Sequence, residues 1–246
     1  MKIGIYGDSY ADCDSSNLNF WVNILQTLLS ADTKVSIDNY AKGGSSLYFS
    51  YKNFLVTQHR YDLVLFLATE PHRYPISFET QAAIGKKFYI TGIPHIDQLK
   101  LSLKLTSGEI EFLDSLKGWF SASSQPYNDD MADIILDKVE YLHKNVIIYP
   151  CFTQSFKKER YKKYNLDPYL HPLHCFWHRQ LELFDIDHVN FSAQEKKTLA
   201  CHLTPEFNQY FAKVLYSKIT TDKYDHSGFF DITIKEPKTH YYSNWD

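Results

Sequence analysis

The chain has 246 residues, 44% of them apolar and 16% aromatic, and a net charge of -3. That length suits one α/β domain with room for inserted segments, and the apolar fraction supplies a full core. The mild negative charge gives no electrostatic reason to expect a nucleic-acid partner, and no apolar stretch approaches the length of a membrane span.

The first residues lack the basic, apolar and small-residue series of a signal peptide, so a cytoplasmic protein is expected. Cys13, Cys151, Cys175 and Cys201 form no close-spaced pair, and free thiols are the simpler expectation. The tyrosines, many in the second half, suggest amphipathic surfaces or a groove as well as core.

In chain order, Lys2-Ile3-Gly4-Ile5-Tyr6 reads as a buried parallel strand. Gly7 breaks it, because glycine accepts backbone angles that other residues resist. Residues 18–29 place Phe20, Trp21, Ile24, Leu25, Leu28 and Leu29 at helical spacing. A short strand at 35–38 leads through the loop 39–46 into an aromatic-rich helix over 47–59. Residues 62–68 are a continuous apolar run suited to the centre of a parallel sheet.

From 69 to 129 the pattern is irregular, punctuated by Pro71, Pro75, Pro94 and Pro126, with a helix over 108–120. A helix at 130–143 and a strand at 145–150 follow. A second irregular stretch, 152–196, holds a basic run at 157–163, read as a solvated helix face or loop, and a helix over 173–183. Thr204 as N-cap and Pro205 as first helical residue open a helix to about 219. A last strand is expected at 229–234.

Strands alternating with helices predict a three-layer α/β/α sandwich with a mainly parallel, flavodoxin-like sheet. One domain is expected over 1–222, with insertions at about 71–129 and 151–196 and a C-terminal extension at 223–246.

Gly7-Asp8-Ser9-Tyr10 follows the first strand directly. Ligands of open α/β sheets bind outside the carboxyl ends of strands, so a serine there is placed for use as a nucleophile. Asp and Ser are also good helix caps, and that plainer reading stands beside the first. The strand followed by Gly-Asp-Ser resembles block I of the SGNH (GDSL-like) hydrolases. Asn39 with Gly44 five residues later resembles block II. His202-Leu203-Thr204-Pro205-Glu206 resembles block V.

The resemblance covers about residues 1–70 and 130–220. It implies the SGNH fold and a serine esterase without cofactor or metal, acting on a small-molecule or carbohydrate ester. By it, Ser9 forms an acyl-enzyme and His202 is general base, then general acid. The N–H groups of Ser9 and Gly44 would hold the oxyanion. Asp8, Asn39, Thr69, Glu70 and Arg73 are expected to line the site. The plainer alternatives are a glycine loop at 43–44 and a structural or surface role for His202, one of 11 histidines.

Two positions depart from the family pattern. Block V has Asp three residues before its histidine, where this chain has Leu199. Asp185, Asp187, Glu206 or a backbone carbonyl would have to orient His202, the last leaving a Ser–His dyad. Loss of the acid's function costs a triad enzyme roughly 10⁴-fold in turnover. Block III has Gly-x-Asn-Asp, where this chain has Ala68-Thr69-Glu70-Pro71. Glu70 stands in the asparagine's place, and an ionised carboxylate donates no hydrogen bond. Thr69, His72 or Arg73 are substitute donors, and a plain Glu70–Arg73 pair is the alternative. These departures keep open an acyltransferase and a weakened binding or structural protein on the same fold.

His171, His174, Cys175 and His178 form a second cluster. On a helix, His174 and His178 share a face and could share a metal. No close-spaced ligand frame accompanies them, and Leu173, Phe176 and Trp177 suggest a packed helix, so a lid over the acyl pocket is expected instead.

Overall fold

The structure, a computed structural model, describes residues 1–12, 18–31, 34–43, 45–71, 96–97, 100, 105–122, 125–183 and 203–233. Its centre is a parallel four-stranded sheet of β1 (Lys2–Tyr6), β2 (Ser36–Asn39), β3 (Leu63–Ala68) and β4 (Val146–Pro150). The order is β2-β1-β3-β4, as expected for a flavodoxin-like sheet. Tyr6 pairs with Phe66, and Phe66 pairs with Ile148. All strands therefore end at one edge. All six residues of β3 are buried, which its continuous apolar run requires of a strand covered on both faces.

Among the described residues the α-helices are α1 (Trp21–Ser30), α2 (Leu47–Thr57), α3 (Ser107–Ala122), α4 (Gln125–Leu142), α5 (Lys158–Lys163), α6 (Leu173–Leu183) and α7 (Pro205–Thr221). They cover both faces of the sheet, with α1 against α7 and α2 against α4. The buried residues of α1, Trp21, Val22, Leu25 and Leu29, repeat at helical spacing. Trp21 meets Phe211 edge-on at 5.0 Å between ring centroids. Among the described residues no helix is long and apolar enough to cross a membrane. Cys151 and Cys175 are free thiols.

Three elements differ from expectation. Helix α4 begins at Gln125, earlier than residue 130, because Pro126 sits in its first turn, where a missing N–H costs nothing. The strand expected from residue 229 is a pair of turns over its described part. Gly228 takes φ of 80°, Phe229 N bonds to His226 O, and Asp231 N bonds to Gly228 O. Phe229 is buried against Phe176 and Phe207 while Phe230 is exposed, which imitates a strand's alternation.

The basic run is also more than a solvated face. Arg160, 8% exposed, meets Asp133 at 3.1 Å and Asp137 at 2.7 Å, and Lys157 meets Asp130 at 2.6 Å. These pairs fasten α5 to α4. Thr204 takes the extended N-cap conformation and Pro205 the first helical position, but the Thr204 side chain does not cap α7.

A Cβ on Gly4 would come within 2.5 Å of the Tyr61 ring, whereas one on Gly118, inside α3, would meet nothing within 4 Å. Gly4→Ala is expected to destabilise the protein by about 1–3 kcal/mol. Gly118→Ala is expected to stabilise it by about 0.5–1 kcal/mol. Urea unfolding midpoints check both signs.

Candidate active site at the strand ends

The first residues beyond β1, β3 and β4 converge on one side chain. Asp8 has no solvent exposure. Its Oδ2 accepts from Thr69 Oγ1 at 2.8 Å, and its Oδ1 accepts from Tyr10 N at 3.0 Å and from Cys151 Sγ at 3.7 Å. Ala11 N and Asp12 N both donate to Asp8 O, so residues 8–12 form a single helical turn. Asp8 caps that turn, and Ser9 lies within it, half-buried. The next regular helix starts at Trp21.

Gly7 is needed for a reason other than the expected one. Its φ is not positive. A Cβ there would stand 2.9 Å from Leu67 Cβ, so the neighbouring strand excludes any side chain. The Gly7 carbonyl accepts from Lys42 N at 3.2 Å, Ser45 Oγ at 3.0 Å and Ser50 Oγ at 3.2 Å. Asn39 Nδ2 donates to Ala11 O at 2.6 Å, and Gly43 N donates to Asp12 Oδ2 at 2.6 Å. The loop after β2 is thus laced to the Ser9 turn, with Gly43 against it. Gly44 itself lies outside the described residues, as do His72, Arg73, Asp185, Asp187, Leu199 and His202.

A second set of bonds reaches the turn from the C-terminal helix. Trp21 Nε1 donates to Tyr10 O at 2.7 Å, and Trp21 N donates to Asn208 Oδ1 at 3.2 Å. Asn208 Nδ2 donates to Leu203 O at 2.8 Å. Trp21 N is one of the donors that the start of α1 leaves without a helical partner, and Asn208 satisfies it. The residue after Ser9 and the residue after His202 are therefore joined through two buried side chains.

Thr69, fully buried, directs its hydroxyl proton to Asp8. Glu70 is half-buried and accepts from Gln154 Nε2 at 3.1 Å. Gln154 and Pro71 border a small cavity of about 200 Å³. Helix α6 seats its first turn at the same edge, where His174 N donates to Cys151 O at 2.8 Å and its ring lies beside Phe152. Sequence reasoning missed Tyr10, Cys151, Trp21 and Asn208. The signal available for Cys151 was its place directly after β4, matching Gly7 after β1.

A larger cavity of about 940 Å³ flanks β4, bordered by Ile147, Tyr164, His171, Tyr224 and His226. It touches the first half of β4, opposite the end that carries Cys151. Burial, with the adjacent His171, pushes His226 down to about 3.

No protein-family model matches the chain, and no curated protein matches it. Among solved structures it is similar to a lipase/acylhydrolase from Enterococcus faecalis, at 11% identity over 92% of this chain and 99% of that one, TM-score 0.44. It is also similar to a protein classed as a GDSL-like lipase from Parabacteroides merdae, at 14% identity over 89% and 94%, TM-score 0.44. A third, the psychrotrophic esterase EstA from Pseudoalteromonas sp., matches at 12% identity over 60% and 76%, TM-score 0.27.

Asp8→Ala would leave the Thr69 hydroxyl and the Tyr10 amide buried without this acceptor. Each orphaned group costs about 1–3 kcal/mol. The variant is expected to lose at least about 2 kcal/mol in guanidinium unfolding, more than an exposed-site control such as Asp62→Ala.

Proposed function

We propose that the chain is a serine ester hydrolase of the SGNH type, working through an acyl-enzyme on Ser9. The observation that carries this reading is the bond chain Tyr10–Trp21–Asn208–Leu203, which couples the neighbour of Ser9 to the neighbour of His202. Ser9 and His202, 193 positions apart in sequence, thereby have neighbours that share one support.

In the proposed reaction, Ser9 Oγ attacks the ester carbonyl while His202 takes its proton. The N–H groups of Ser9 and Gly44 hold the oxyanion, and the described contact of Gly43 with Asp12 supports that placement. His202 gives the proton to the leaving alcohol. Water then attacks the acyl-enzyme with His202 again as base. Asp8 and Asn39 brace the serine turn, Thr69 holds the Asp8 side chain, and Glu70 and Arg73 are assigned to substrate contact. With Leu199 in place of the acid, a Ser–His dyad serves, and slow turnover is the consequence. The substrate class is a short acyl ester, an acetylated carbohydrate among them, handled by one domain of cytoplasmic location without nucleic acid or cofactor.

Hydrolysis of p-nitrophenyl acetate tests the reading. Wild type is expected to turn over, and Ser9→Ala and His202→Ala to lose at least about 10³-fold. Asn208→Leu, folded by circular dichroism, is expected to lose about 10–100-fold, since small misplacements of catalytic groups cost that much. A folded wild type inactive on a series of short acyl esters contradicts the proposal, as does undiminished turnover in Ser9→Ala.

A further inference from the structure

The chain beyond α7 has no part in the proposed reaction, yet it covers three elements of the fold. Asp222 closes α7 in the left-handed conformation, with φ of 58°. Tyr224 then lies against Tyr149 of β4, at 5.6 Å between ring centroids. Phe229 lies against Phe176 of α6 at 5.3 Å and Phe207 of α7 at 6.2 Å. Residues 223–232 thus form a strap over β4, α6 and α7. Its backbone bonds are internal, from Phe229 N to His226 O and from Asp231 N to Gly228 O. Among the described residues no backbone hydrogen bond ties the strap to another element. Side chains alone hold it down, and a segment held so opens at low cost.

His226 is the polar anchor. Its Nδ1 pairs with the Tyr210 hydroxyl at 3.0 Å, and its ring meets that of His171 edge-on at 3.9 Å between centroids. Its Nε2 is buried without a hydrogen-bond partner. A neutral ring leaves only a weak group idle there. An imidazolium would place a charged N–H in the same spot with no acceptor, beside a second histidine, at much greater cost. His171 is held from its far side by the backbone of Asp167, whose O lies 3.2 Å from Nδ1.

The charged and titratable neighbours do not offset that cost. On the strap, Asp225 is exposed, and its carboxylate accepts from Ser227 N at 2.9 Å. On the loop after α5, Asp167 is exposed and accepts from Tyr169 N at 2.7 Å. Helix α7 brings Tyr210 and also Lys218, which is paired with Asp222 at 2.6 Å. Lys163 and Lys223 border the same cavity as the two histidines. Strand β4 brings Tyr149, whose hydroxyl donates to His171 O at 2.6 Å. Helix α6 brings Arg179, 6.0 Å over the Phe230 ring, and the Cys175 thiol, which burial pushes up to about 11. Burial, then the facing His171, pushes His226 down to about 3, and burial pushes His171 below its ordinary value.

We propose that the His171–His226 contact is an acid-released latch, which holds the strap 223–232 against β4, α6 and α7 at neutral pH and lets it lift as acidity rises. Lifting opens the cavity of about 940 Å³ that Tyr224 and His226 help to wall, and it bares Phe176 and Phe207. In the lifted state both rings meet water and return to an ordinary value of about 6.5. The closed state keeps them neutral. Closure is therefore fully favoured above about 6.5 and weakens as pH falls from there toward 3. One released histidine shifts the balance about tenfold toward the lifted strap between pH 7.5 and 5.5.

A protease active across that range, such as papain, tests the latch on the full-length protein. Cleavage within 223–232 is timed at pH 7.5 and 5.5, each rate divided by that for a free peptide of the same sequence. The wild-type ratio is expected to rise about tenfold or more at pH 5.5, and the rise in His226→Phe to fall below about threefold. Where that variant does not fold by circular dichroism, His226→Gln takes its place. His59→Gln, at an exposed histidine elsewhere, should keep the wild-type rise. A flat wild-type ratio overturns the proposal, as does an equal rise in the His226 variant. Loss of the far-ultraviolet dichroism over the same range overturns it too, since the whole fold rather than the strap would then be opening. None of these readouts uses ester hydrolysis, so failure of the latch and failure of the Ser9 reading are separable.

Discussion

One buried carboxyl group holds the carboxyl-terminal edge of the sheet together. Asp8 stands just beyond β1 and accepts from Thr69, the first residue beyond β3, and from Cys151, the first beyond β4. It also caps the turn that carries Ser9. Strand ends otherwise leave polar groups to be satisfied by loops or water. Here the acceptors come from one strand end and the donors from its neighbours, so each needs the others. Burial raises the stakes, because an orphaned polar group costs more than a satisfied one contributes. The Ser9 turn therefore has little freedom to relax away from the sheet.

A second constraint acts from the α1–α7 layer. Trp21 donates to the Ser9 turn and to Asn208, and Asn208 holds the segment that opens α7. Trp21 stacks edge-on against Phe211, and Phe211 lies 5.0 Å from Tyr149 of β4. The hydrogen-bonded chain is thus embedded in aromatic packing between a helix layer and the sheet. Catalysis by positioned groups needs this kind of support, since preorganisation rather than contact alone lowers the barrier.

Much of the frame was legible from local pattern. The apolar runs of β1 and β3 and the helical spacing of α1 and α6 appear where expected, because each element buries a face set by its own period. Pro126 misled, since a proline in a first turn looks like punctuation. Phe229 and Phe230 misled because a turn can alternate buried and exposed residues as a strand does. The reason for Gly7 was hidden, because close approach to Leu67 belongs to strand pairing rather than to local backbone preference. The bonds that build the site span 61, 143 and 187 residues, and no local pattern encodes them. Motif spacing singled out Ser9, and the fold supplied the buried partners that give its turn a fixed shape.

The central claim is that Ser9 is a nucleophile in a prepared site. Treatment with a fluorophosphonate, followed by intact-mass and peptide mapping, tests it most directly. The account predicts one adduct per chain, carried on the peptide containing Ser9 and absent from Ser9→Ala. A folded protein that takes up no adduct, or that carries it on another residue, would contradict the account.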